Sequence, residues 1–188
     1  VYHAYAKVNV FLKITGKREH YHTLVSRFVK IKHLYDSMWF KEGYSSSFTI
    51  EGNFNCPTES NTIYKAYQAL LDTTQSKELK KFMLQHIICV EKRIPSFAGL
   101  GGGSSDAATF LNMCNEICNL NLSKNDLAHI GSKIGADVPF FIYNYDSANV
   151  SGIGEIVEEF FEITPNIEIF TPNLEISTPK VYQYYRDP

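Results

Sequence analysis

Pro95-Ser96-Phe97-Ala98-Gly99-Leu100-Gly101-Gly102-Gly103-Ser104-Ser105 is the stretch from which the rest of the chain is read. Four of the chain's 11 glycines fall within it. Upstream, residues 86–94 form an apolar, β-branched run that stops at Pro95, as a strand does. Downstream, Ala107 to Cys118 repeats apolar residues at helical spacing. A glycine cluster between a strand and a helix lets backbone N–H groups turn inward and approach an anion closely. The helix N-terminus adds unpaired donors and the positive end of its dipole, and Ser104 and Ser105 add hydroxyls for phosphate oxygens or a magnesium ion. The pattern points to polyphosphate. It is not the loop Gly-x-x-x-x-Gly-Lys-Ser/Thr, since no lysine follows the glycines, nor Gly-x-Gly-x-x-Gly, since Ser104 stands at the third glycine position.

Outward from the loop, residues 4–15, 24–33, 38–42 and 47–52 read as strands, so the first fifty residues are strand-rich. Asn61-Thr62 caps a helix whose Ile63, Ala66, Tyr67, Leu70 and Leu71 share one face, and a second helix spans Ser76 to Leu84. Ser123 to Asp126 resembles a capping box, opening a helix that runs to Gly135. Further strands are expected near 139–143, 147–151 and 166–171. Strands first, then mixed strands and helices, predict an α+β fold.

The whole chain has 188 residues, 18 basic against 20 acidic, for a net charge of −2. That balance gives no electrostatic footprint for nucleic acid or an anionic membrane. No apolar run approaches the roughly 18 residues of a spanning helix and no signal peptide opens the chain, so a soluble cytoplasmic protein is expected. Cys56, Cys89, Cys114 and Cys118 contain no Cys-x-x-Cys pair, and the six histidines no metal-ligand spacing. Cys114 and Cys118 read as small apolar residues of a buried helix face. The start at Val1 and the stop at Asp187-Pro188 suggest a piece of something longer.

The segment Pro95 to Ala108 resembles the ATP-binding loop of the GHMP kinases, the group of galactokinase, homoserine kinase and mevalonate kinase. Three other segments are similar in order and spacing: Ala6-Lys7-Val8-Asn9-Val10-Phe11-Leu12, then Gly16 through Tyr21-His22-Thr23-Leu24, then Gly135-Ala136-Asp137-Val138-Pro139-Phe140-Phe141. The triple glycine and Tyr21-His22 resemble the branch that phosphorylates a cytidine-diphosphate-linked methylerythritol on its 2-hydroxyl, in non-mevalonate isoprenoid synthesis. The resemblance implies ATP with Mg²⁺, a small-molecule cytidine-diphosphate substrate, and neither nucleic acid nor membrane as partner. It implies Lys7 and Asp137 as the catalytic pair. ATP would be held by Pro95, Ser96, Phe97, Ala98, Gly99, Leu100, Gly101, Gly102, Gly103, Ser104 and Ser105, with Asn61 and Lys92 near the adenine. Asn9, Tyr21, His22, Thr178 and Tyr182 would hold the acceptor. No residue is assigned to metal. It implies a catalytic domain over residues 1–152 and the start of a second domain over 153–188.

The residue types suit the chemistry. Phosphorylating an alcohol through a loose transition state asks for positioning and for stabilisation of developing charge. A carboxylate can take the hydroxyl proton and an ammonium can stabilise charge beside it. A cytosine needs an aromatic face and edge donors and acceptors, which a tyrosine and a histidine supply. Singly, Asp137 also reads as a turn residue past a helix, Lys7 as a solvated strand residue and Tyr182 as a plain aromatic. Another GHMP small-molecule kinase, of homoserine or mevalonate type, and a non-catalytic nucleotide-binding sensor are the competing readings.

Overall fold

The structure, a computed structural model, describes residues 1–18, 21–162 and 167–170, apart from the Tyr21 side chain. Two long antiparallel strands dominate it: β1 (Tyr2–Arg18) and β2 (Tyr21–Glu42). β2 is one strand where the sequence predicts two, 24–33 and 38–42. The polar interruption that reads as a break contains Asp36, which is fully buried and accepts the backbone N–H groups of Arg93 (2.5 Å) and Ile94 (2.8 Å). Its partners lie more than fifty positions away, so no local pattern announces them.

β1 covers one edge of β2. The other edge is divided end to end between β4 (His86–Glu91), paired with residues 37–42, and β5 (Ser147–Gly152), paired with residues 24–29. β3 (Ile50–Gly52) adds in parallel to β4, and β6 (Ile156–Glu159) antiparallel to β5. β6 has no counterpart in the sequence reading and continues the same sheet past Gly152. Residues 167–170 of the strand expected at 166–171 carry no regular structure, and its two ends lie outside the described residues.

Among the described residues five α-helices complete the fold: α1 (Thr62–Thr74), α2 (Lys77–Gln85), α3 (Gly102–Ile117), α4 (Lys124–Ser132) and α5 (Val138–Tyr143). α1 and α2 are capped by the side chains of Asn61 and Ser76, and α4 opens on the full Ser123–Asp126 capping box. α5 replaces the strand expected at 139–143. Val138, Pro139, Phe140, Phe141 and Ile142 are all buried, and so short an apolar run does not separate strand from buried helix. Pro139 in the first turn favours the helix, and Asn144 in the left-handed region (φ 62°) ends it. The main core joins sheet residues (Phe28, Met38, Ile88, Val150) to residues of all five helices, among them Ile63, Leu79, Phe110, Leu127 and Phe140. A smaller cluster of Ala6, Ile31, Ile94 and Leu100, with Ile167 and Ile169 against it, seats the glycine loop on the sheet. Among the described residues no helix is long and apolar enough to cross a membrane.

Candidate active site

The glycine loop is built as its composition demands. Gly99 (φ 73°) and Gly101 (φ 72°) take left-handed conformations, and Phe97 (φ 59°) takes one despite its side chain. The backbone N–H of Lys7 donates to the Leu100 carbonyl at 3.0 Å, tying the loop to β1. Gly101 is also the point of closest approach. A Cβ there would stand 3.0 Å from Cζ of Phe141 and 3.1 Å from Cγ and Cε of Lys7. The loop thus lies directly on the lysine's stem.

α3 begins at Gly102, five residues before the periodicity that reveals its body. Glycine is a poor helix former, so the first turn is invisible to propensity. That turn has no acidic residue and no side-chain cap, leaving its N–H groups and positive dipole end open to an anion. Its far side is fastened to α1, where the Thr62 hydroxyl donates to the Gly103 carbonyl at 2.6 Å. The two predicted hydroxyls differ in place: Ser104 is partly exposed and Ser105 only 1% exposed.

Lys7 and Asp137, remote in sequence, meet beside this loop. Lys7 Nζ lies 3.1 Å from Asp137 Oδ2, with the lysine side chain buried and the aspartate partly open. Asp137 is the N-cap residue of α5, but its backbone is helical and its side chain caps nothing, which leaves the carboxylate available. Lys7 also donates to Asn9 Oδ1 at 2.7 Å and stands 4.7 Å from the centre of the Phe28 ring. Asn9, expected at the acceptor, therefore sits on Lys7.

Asn61, Lys92, Ser96, Phe97 and Gly103 line one cavity of about 220 Å³, together with Asp106. Asn61 spends its Oδ1 on the α1 cap, accepting from the N–H of Ile63. At its wall Lys92 Nζ bridges two buried carboxylates, Asp36 and Asp106 (2.6 Å to the latter). Burial works against the charge of Lys92, but Asp106 and Asp36 outweigh it and hold the pKa above its ordinary value. Burial pushes Asp106 up to about 7, with Lys92 opposing and Asp36 adding to the rise. Asp106 Oδ1 has no hydrogen-bond partner among the described residues. Asp36, Asp106 and Ser26, described below, are unassigned in the sequence reading. Asp106 lies within the Pro95–Ala108 segment, and a carboxylate just after the paired serines, at the head of an apolar helix, is the signal available for it.

Tyr21 and His22 lie at the closed end of the β1–β2 hairpin, opposite Arg18 and Lys17. The same end reaches the β5–β6 turn, where Arg18 Nη1 meets Glu155 Oε1 at 3.0 Å. Gly154 of that turn (φ 115°) backs onto Ala136, the residue before Asp137; a Cβ there would fall 2.4 Å from the Ala136 carbonyl oxygen. Two contacts thus link the hairpin end to the loop before α5. Thr178 and Tyr182 lie outside the described residues.

Residues 61–145 match the GHMP kinases N terminal domain. Over 191 aligned residues the chain is 59% identical to 4-diphosphocytidyl-2-C-methyl-D-erythritol kinase of Sulfurimonas denitrificans, covering all of this chain and 72% of that protein. The chain belongs to the 4-diphosphocytidyl-2-C-methyl-D-erythritol kinase family. The like-named protein of Sulfurovum sp. is 54% identical, over 97% of this chain and 71% of that protein. A crystal structure of 4-(cytidine 5'-diphospho)-2C-methyl-D-erythritol kinase superposes with a TM-score of 0.71 at 30% identity, covering 97% of this chain and 63% of that one. Mevalonate kinase of Methanococcus jannaschii, at 14% identity and a TM-score of 0.60, shares the fold. The GHMP kinase fold is α+β as the strand and helix pattern predicts, and this family member is an ATP-dependent small-molecule kinase.

Proposed function

We propose that the chain catalyses transfer of the γ-phosphoryl group of ATP to the 2-hydroxyl of 4-diphosphocytidyl-2-C-methyl-D-erythritol, a cytoplasmic step of non-mevalonate isoprenoid synthesis. The observation that carries this reading is the 3.1 Å pair of Lys7 and Asp137 beside the glycine loop. Asp137 takes the proton of the acceptor hydroxyl as its oxygen forms the new bond to phosphorus and the bond to ADP breaks. Lys7 keeps Asp137 in place and stabilises negative charge gathering on the transferred group. The backbone N–H groups of Gly101 to Ser104 cradle the phosphates, and the cavity at Asn61 and Lys92 receives the base.

Among the described residues no group of three or more His, Cys, Asp or Glu could hold a metal ion. Mg²⁺ therefore fits as an ion carried by the phosphates, with the Ser104 hydroxyl as the protein oxygen that would hold it. When bound it supplies charge neutralisation on the phosphate oxygens. Tyr21 and His22 are the residues we assign to the cytosine, joined by Thr178 and Tyr182. Residues 1–152 are the catalytic domain of this proposal and 153–188 the start of the second.

The test is an ADP-release assay on the full-length protein with a panel of acceptor alcohols. Turnover with the cytidyl substrate and not with homoserine or mevalonate is expected. ADP release with homoserine or mevalonate alone, or with no acceptor at all, overturns the proposal.

A further inference from the structure

β1 carries a bulge between Asn9 and Phe11. Asn9 faces Phe28, but Phe11 faces Arg27, so Val10 is an extra residue on β1 and the pairing of Phe11 to Ile14 is shifted by one. The shift brings the Phe11 carbonyl to Ser26, whose hydroxyl donates to it at 2.5 Å. Ser26 is fully buried. The same hydroxyl oxygen accepts from Asn9 Nδ2 at 2.9 Å, and Asn9 Oδ1 accepts from Lys7 Nζ at 2.7 Å.

Chemistry fixes the direction of this chain at both ends. An ammonium can only donate, so the Asn9 amide must present its oxygen to Lys7 and its NH₂ to Ser26. A carbonyl can only accept, so the Ser26 proton must point to Phe11 and its lone pair to Asn9. Each link of the line is one donor meeting one acceptor, and reversing the Asn9 amide leaves like groups facing each other. The residue at 26 must therefore both donate and accept, which alanine cannot do.

We propose that Ser26 is a positioning residue of the phosphoryl-transfer site: through Asn9 it locks the Lys7 ammonium at the carboxylate of Asp137. This rests on the function proposed above. Ser26 touches neither reacting group. Its effect is transmitted through one amide orientation, and an error of even a fraction of an ångström in a reacting group costs rate steeply.

Ser26→Ala and Ser26→Thr in the full-length protein separate this role from simple support of the bulge. Ser26→Ala is expected to lower kcat about ten-fold at unchanged KM for ATP, and Ser26→Thr, which restores the hydroxyl, to recover it. Because the two residues act in series, Asn9→Ala with Ser26→Ala should be no slower than Asn9→Ala alone. Parental kcat in Ser26→Ala, or additive losses in the double variant, overturns the proposal. Should Ser26→Ala fail to fold, Ser26→Cys, of similar volume but a weak donor, takes its place with the same expectations. A second readout needs no turnover: the side-chain amide hydrogens of Asn9 in ¹⁵N-labelled protein, distinct and slowly exchanging in the parent and in Ser26→Thr, should lose that protection in Ser26→Ala. An Asn9 amide indifferent to Ser26 overturns the positioning role. A parent inactive on every acceptor whose Asn9 amide still responds to Ser26 overturns the catalytic reading instead.

Discussion

Lys7 belongs to β1 and Asp137 to the loop before α5, and a glycine makes a close approach at or next to each. For Lys7 that residue is Gly101, with a left-handed φ of 72° and no room for a Cβ beside the lysine's stem. Gly101→Ala forces both a disfavoured backbone and a displaced lysine, at a cost of about 1–3 kcal/mol. The expected outcome is a lower melting temperature together with reduced kcat, read by thermal unfolding and by ADP release. Asp137→Asn tests the proposed proton acceptor directly. It removes the basic site while preserving size, so kcat should fall about 10²–10⁴-fold while ATP affinity by calorimetry stays at the parental value. Lys7, Asp137 and the loop glycines were singled out from sequence because their motifs are local. Their meeting was not derivable from spacing and came through the family resemblance. Ser26 carried no signal at all, because its importance depends on a bulge that exists only once β1 and β2 are paired.

At the scale of elements, legibility follows how local the causes are. The α4 capping box is a four-residue pattern and the structure contains both of its bonds, Ser123 Oγ accepting from the Asp126 N–H at 3.1 Å and Asp126 Oδ2 from the Ser123 N–H at 2.9 Å. Ser123→Ala should cost about 1 kcal/mol, read as a shifted denaturant midpoint at unchanged m, with kcat preserved. α5 reads as a strand in sequence because its five buried residues show no periodicity to measure, and β2 reads as two strands because Asp36 looks like a turn residue until residues 93 and 94 arrive. The hidden first turn of α3 has a different cause. Its glycines lower helix propensity and leave the N–H groups of an uncapped turn bare, which in the proposed function face a phosphate, so local preference gives no sign of the helix there.

Across the whole molecule, the buried group of Asp36, Lys92 and Asp106 joins the sheet to α3 at the wall of the cavity lined by Asn61 and Phe97. Asp106 lies at about 7, raised from 3.8 chiefly by burial. The folded chain thus holds a proton that the unfolded chain releases at much lower pH, and the sign of the linkage follows: stability contributed by this group is lost as pH rises. The stability of the wild type relative to Asp106→Asn should decline from about pH 4 to about pH 7 and be level above that. Melting temperatures of both proteins across this range measure it, and parallel curves would contradict the burial argument.

The divided edge of β2 has a consequence for how the chain is made. The β1–β2 pair is complete once Glu42 has been synthesised, but one long edge of β2 awaits β4 and then β5, which ends at Gly152. At roughly 5–20 residues per second, a ribosome needs on the order of 5–20 s to deliver the intervening stretch. Throughout that interval residues 24–29 present unpaired backbone groups beside the exposed Phe11, Leu12 and Val25. The nascent chain is thus a client for whatever binds strand edges at the exit tunnel, and slowing translation between residues 42 and 152 lengthens its window for aggregation without changing a single contact of the finished enzyme.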